Sequence, residues 1–206
     1  MQKKYSSIDF KQFDREYRRT FMNSLTGFKS VHLLGTTNKN GIPNLALISS
    51  VFHIGANPPF IGLCFRPERA NGHSFENIIR DRYFTLNVVN ENIIEQSHKT
   101  STAFSEKISE FDECRFTALY ENKQLVPFVA ESLIRCLVEY KEHYEVRANQ
   151  TRIVVGEIKE VQLDSDFIES NGYILHQKAK SVVVNGLEGY HKTEEIIRLG
   201  FQKCND

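Results

Sequence analysis

Apolar positions recur at spacings of three and four at the start of the chain, with Phe10, Phe13, Tyr17, Phe21 and Leu25 separated by Lys, Arg and Asp. Residues at such spacings share one face of a helix, so the pattern predicts an amphipathic helix over about 9–25. Ser30–Thr37 and Leu45–Ile54 then predict two strands. They are joined by Asn38-Lys39-Asn40-Gly41, whose Asn-Gly supplies the positive φ angles of a tight hairpin. Gly55-Ala56-Asn57-Pro58-Pro59 stops the second arm, because proline has no N–H for a ladder. A third strand follows over Phe60–Phe65. His73 and Ser74 precede Phe75, Ile78 and Ile79, a stripe that predicts a short helix capped by the serine.

Tyr83–Val89 returns to strand, and Asn90 caps a short helix through Ile93 and Ile94. Thr100–Lys107 is polar and reads as a mobile loop. Leu133–Val146 and Arg152–Leu163 are rich in β-branched residues and predict two long strands. Asp164–Gly172 reads as an acidic turn or short helix, Tyr173–Leu175 as a brief strand and Thr193–Phe201 as a terminal helix. The sum is an α+β domain, mainly β, built on an antiparallel barrel. The βαβ alternation of a doubly wound parallel sheet is missing. One domain over 1–206 is expected, with the barrel at about 30–190 and a helical tail behind it.

Charge narrows the function classes. Lys plus Arg and Asp plus Glu each number 26, so no overall field draws the chain to nucleic acid or an anionic membrane, although a local basic patch stays open. Met1–Asp9 carries no apolar run, and no continuous apolar stretch reaches about 18 residues, so neither a signal peptide nor a membrane span is expected. Cys64, Cys114, Cys136 and Cys204 form no CxxC pair, which favours a reducing cytoplasm without disulfides. The common dinucleotide, P-loop, zincin and α/β-hydrolase signatures are absent, and no histidine sits at a convincing metal-ligand spacing, so no metal site is expected.

Two segments carry candidate chemistry. Asn44-Leu45-Ala46-Leu47-Ile48-Ser49-Ser50 turns from apolar to hydroxyl-bearing at a strand end. This is either a solvated end or a row of backbone and hydroxyl donors facing a polar ring edge. Phe65-Arg66-Pro67-Glu68-Arg69 through Gly72-His73-Ser74 places two arginines between a strand exit and a helix start. That arrangement is either a solvated loop paired with Glu68 or Glu76, or a site for a monophosphate.

Taken in order, the segments resemble the flavin reductase-like FMN-binding family, which includes flavoredoxin. The resemblance runs from Val31–Thr37 and Gly41-Ile42-Pro43-Asn44-Leu45-Ala46 through Ser49-Ser50, Asn57-Pro58-Pro59, the Arg66 loop and Ser74 with Asn77-Ile78. It continues over Phe84-Thr85-Leu86-Asn87-Val88, Glu110-Phe111 and Val154-Val155-Gly156-Glu157-Ile158. It implies a Greek-key split barrel with peripheral helices, usually a homodimer with FMN near the interface. By position it implies that Asn44 and Ala46, Leu47, Ile48, Ser49 and Ser50 line the isoalloxazine. Arg66, Arg69, His73, Ser74 and Asn77 would then surround the ribityl phosphate. NADH or NADPH is the implied electron donor, with no catalytic side chain required; an electron carrier or a barrel that has lost FMN are the alternatives. The chain departs from the family where a lysine-aspartate-threonine run is replaced by Gly72-His73-Ser74. It departs again where Asn185-Gly186-Leu187-Glu188-Gly189 stands before Tyr190 in place of an arginine and paired glycines.

Overall fold

The computed structural model describes residues 1–67, 73–121 and 123–199. Its elements in chain order begin with α1 (Ser7–Gln12), α2 (Arg15–Ser24), β1 (Lys29–Ser30), β2 (His32–Thr37), β3 (Pro43–Ile48), β4 (Val51–Ala56), β5 (Pro59–Phe65), α3 (Ser74–Asp81) and β6 (Tyr83–Val88). A 3-10 turn at Glu91–Ile93 leads into α4 (Ile94–Lys99), followed by α5 (Glu110–Glu113), β7 (Ala118–Leu119) and β8 (Phe128–Val129). The long strands β9 (Ile134–Val146) and β10 (Thr151–Leu163) precede β11 (Val182–Asn185) and β12 (Gly189–Lys192).

Seven strands form one antiparallel sheet in the order β3-β2-β6-β9-β10-β5-β4. Strands β3 and β4 are consecutive in the chain yet lie at opposite edges, joined only by Ser49 and Ser50. So short a link requires the twisted sheet to curl until its edges approach without pairing, which makes the fold a split β-barrel. Residues 33 and 34 show how the core divides. Leu33 packs with Leu45, Val89, Phe111 and Val184, while its neighbour Leu34 points the other way, to Leu63, Phe84, Val138 and Val154. Each fully buried side chain of this size contributes about 1.5–3 kcal/mol of transfer free energy.

The leading helix predicted over 9–25 is two helices. Phe13 is extended at ψ 134, and the Asp14 carboxylate accepts the Glu16 and Tyr17 N–H groups at 2.9 Å, starting a new helix. The predicted apolar face survives the break: the rings of Tyr5, Phe10, Phe13, Tyr17 and Phe21 pack at centroid distances of 4.6–6.3 Å.

The β2–β3 hairpin forms as expected, with Gly41 at φ +79 and the Asn38 side chain accepting the Asn40 and Ile42 N–H groups at 2.9 and 3.0 Å. The single strand expected over Leu45–Ile54 is divided at Ser49-Ser50, where the chain passes from one sheet edge to the other. The double-proline turn is shorter than expected: β4 runs to Ala56 and Pro59 already opens β5. Ser74 does not cap α3. The N-cap is His73, which makes no side-chain cap bond, and the Ser74 hydroxyl instead accepts from Asn44.

The terminal helix expected over Thr193–Phe201 is absent from Thr193–Leu199. Ile196 and Leu199 are 97% and 75% exposed, so a helix there has no surface against which to bury an apolar face. Arg198 holds this segment to Glu169 at 2.8 Å and lies 3.7 Å from the Tyr173 ring centroid. Arg69, Phe201 and Cys204 lie outside the described residues.

Candidate functional site

Beside β3 a cleft of about 500 Å3 opens between the barrel edge, the Arg66 turn, the start of α3 and the segment from His98 to Phe104. Its position follows from strand geometry. Peptide groups alternate across an edge strand, and on β3 the outward-facing set is marked by two contacts: the Pro43 carbonyl accepts the Ser109 hydroxyl at 2.9 Å, and the Leu45 N–H donates to Glu110 at 3.1 Å. Alternation directs Leu47 outward next, into the cleft, with Ser49 beyond it. Ala46 and Ile48 face β2, opposite Leu34 and His32. The cleft is therefore walled by a sheet edge whose backbone groups are open to a ligand.

One end of the cleft is polar. Arg66 follows β5 and donates to the Asn23 side chain at 2.6 Å, so a buried amide on α2 holds the guanidinium in place. The Lys29 ammonium donates to the Asn23 and Gly186 carbonyls at 3.2 and 2.9 Å, and burial together with the Arg66 charge lowers its pKa. On the α3 side Asn44 donates to both Ser74 and Thr36 at 3.2 Å, and Asn77 donates to the same Thr36 hydroxyl at 3.1 Å. This chain of bonds fixes Ser74 at the cleft wall. Since the Ser74 oxygen already accepts from Asn44, its own O–H remains available as a donor.

Of the sequence-predicted site residues, Asn44, Ala46, Leu47, Ser49, Arg66 and Ser74 come together on the cleft. Ile48, Ser50, His73 and Asn77 do not line it. Ile48 packs into the barrel core, the Ser50 carbonyl accepts the Cys64 N–H at 3.0 Å, and Asn77 is buried behind Ser74. His73 faces Glu106 at 3.3 Å.

Several lining residues escaped sequence reading. Thr100, Ser101 and Thr102 bring three hydroxyl-bearing residues in a row to the wall, followed by Phe104. The sequence read this run as a mobile loop, although consecutive hydroxyls ending in an aromatic residue are a usable signal. Arg19 was read only as the polar side of a helix. Glu110 gave no local sign of its role, which depends on a strand 65 residues away in sequence. Among the described residues no cluster of His, Cys, Asp or Glu is arranged to hold a metal, and no helix is long and apolar enough to cross a membrane.

The site is thus an open edge strand of a split barrel along a half-apolar cleft. Residues 25–182 match the flavin reductase like domain, and the chain belongs to that family. It is similar to a protein assigned as a flavin reductase with split barrel domain from Shewanella frigidimarina NCIMB 400, at 37% identity and TM-score 0.93 over 98% of this chain and 100% of that one. It shares its fold with nitrilotriacetate monooxygenase component B from Bacillus cereus, at 18% identity and TM-score 0.83, covering 96% of this chain and 100% of that one. It also shares it with the flavoredoxin of Desulfovibrio vulgaris (Miyazaki F), at 18% identity and TM-score 0.73, covering 84% and 91%. Family membership supports oxidoreduction as the activity class and a flavin as the cofactor class.

Proposed function

We propose that the protein binds FMN in this cleft and acts as an oxidoreductase, taking electrons from NADH or NADPH and delivering them to a flavin, a protein or a small acceptor. The observation that carries the reading is the open edge of β3 along a cleft with Arg66 at its mouth. The donor set fits the cofactor. A planar ring with a polar rim matches apolar walls edged by peptide groups, and a phosphate matches a guanidinium, a serine hydroxyl and a row of threonine and serine hydroxyls.

When bound, FMN supplies the electron chemistry of its isoalloxazine ring. The chain's own residues bind and orient it. Backbone groups at Leu47 and Ser49, with the Ser49 hydroxyl, face the ring edge and stabilise negative charge there through preorganised dipoles. Arg66 and Ser74 hold the phosphate. Asn77 is a positioning residue that acts through Thr36 and Asn44. In this reading no side chain serves as a catalytic acid or base.

A homodimer belongs to the same proposal, because β4 is a sheet edge with Phe52 and Ile54 exposed by 41% and 44%, an apolar surface for a second copy. The free thiols of Cys64, Cys114 and Cys136 suit a reducing cytoplasm. Absorbance of the purified protein and FMN titration of the apoprotein test the cofactor. A colourless protein that takes up no FMN ends the reading. Anaerobic mixing with NADH and NADPH tests the activity: bleaching at a catalytic rate is expected, and uptake of FMN without bleaching leaves an electron carrier.

A further inference from the structure

Helix α2 presents two faces of different chemistry. Tyr17 and Phe21 turn toward the aromatic cluster of the leading segment. Arg15, Arg18, Arg19, Met22 and Asn23 fall at i, i+3, i+4, i+7 and i+8, a single face, and with Arg66 they line an open groove of about 340 Å3. Arg19 and Arg66 also line the large cleft, so the groove continues it outward.

The charge in this groove is poorly compensated. Arg19 pairs with Glu16 at 2.8 Å, but no ion pair of Arg15 or Arg18 occurs among the described residues, and both are exposed. Arg66 is held by a neutral amide, and the neighbouring Lys29 by neutral carbonyls. A chain with a formal net charge of zero thus brings four of its twelve guanidinium groups to the outer end of its cleft. Such an uncompensated field selects an anion, and guanidinium geometry favours the paired oxygens of a phosphate.

We propose that this groove receives the adenosine end of the reductant, with the 2′-phosphate of NADPH on Arg15 and Arg18, so that the protein prefers NADPH to NADH. The proposal rests on the flavin reading, since a nicotinamide that reduces a flavin in the cleft must lie beside it there. Arg66 serves the flavin phosphate at the junction, leaving Arg15 and Arg18 for a second phosphate. NADH presents a neutral hydroxyl at that position and gains nothing from two more guanidinium groups.

Calorimetric titration with adenosine 2′,5′-bisphosphate and adenosine 5′-monophosphate, with and without FMN, tests it in the wild type and in the Arg15→Ala/Arg18→Ala double variant. The bisphosphate is expected to bind the wild type about tenfold more tightly than the monophosphate. The double variant is expected to lose that difference and to keep its FMN affinity. In steady state its KM for NADPH is expected to rise about tenfold while that for NADH stays level. Equal binding of the two nucleotides by the wild type overturns the proposal, as does a double variant that keeps the difference. Loss of FMN affinity in the double variant assigns these arginines to the flavin phosphate and also overturns it. A protein that binds no FMN ends the flavin reading instead, and the bisphosphate titration then judges the groove alone.

Discussion

Glu110 accepts the Leu45 N–H at 3.1 Å, so a carboxylate on a helix of one turn closes part of the open edge of β3. Burial pushes the Glu110 pKa up, against the pull of that N–H. Replacing Glu110 with alanine leaves a partly buried donor unpaired and is expected to cost about 1–3 kcal/mol in urea unfolding. Glu110→Gln retains an acceptor and is expected to cost less. Equal losses would show that the bond contributes nothing.

Arg66 and Asn23 form a second coupled pair, at 2.6 Å. If the guanidinium holds the FMN phosphate, Arg66→Ala weakens FMN binding by about tenfold or more. Asn23→Ala weakens it by a smaller factor, about threefold, because it only releases the arginine. In the Arg66→Ala background the Asn23 substitution adds nothing, and an additive effect in the double-mutant cycle refutes the positioning role.

His32 is half-buried on β2 with its Nδ1 buried and unpartnered, and desolvation, reinforced by the His176 charge, pushes its pKa down to about 4. The unfolded chain therefore takes up a proton near the ordinary value of 6.5, while the folded protein resists until about pH 4. Stability from this group is fully present above pH 6.5 and is lost as pH falls through the folded pKa, by an amount on the order of 3 kcal/mol. Urea midpoints measured across that window should fall, and the His32 ring resonances should not titrate above about pH 5. A His32 that titrates near 6.5 removes the basis for the effect.

Gly35 leaves room where β2 meets the segment before β8. A Cβ there would meet the Pro127 carbonyl and the Thr85 hydroxyl, which are themselves hydrogen-bonded at 2.6 Å. Gly35→Ala is expected to destabilise the fold by about 1–3 kcal/mol, since backbone on one side cannot move aside as a flexible side chain does. An unchanged thermal midpoint contradicts this packing.

The barrel was legible where local chemistry and tertiary demand agree. Asn40-Gly41 makes its hairpin, and β9 and β10 lie within two residues of the ranges their β-branched runs predict. At Asp14 the signal was local, a carboxylate that caps the Glu16 and Tyr17 N–H groups, but the unbroken apolar spacing over 9–25 masked it. The barrel was illegible where a distant contact decides: nothing local shows that Ser49-Ser50 spans two sheet edges. Ile196 and Ile197 read as helical because a sequence does not reveal whether a surface awaits them. The candidate site divides similarly: Asn44, Ser49, Arg66 and Ser74 converge, whereas Thr100–Phe104 and Arg19 reach the cleft only through the path of the folded chain.

Of all the residues in α1 and α2, only Asn23 is buried, and its side chain is bonded to the arginine at the mouth of the cleft. Docking of the leading segment and the state of Arg66 therefore share one free-energy cycle. Whatever an anion at Arg66 does to the grip on Asn23, releasing or tightening the leading helices must do to the anion in equal measure. Protease sensitivity of the first 24 residues thus becomes a gauge of cleft occupancy that needs neither colour nor turnover.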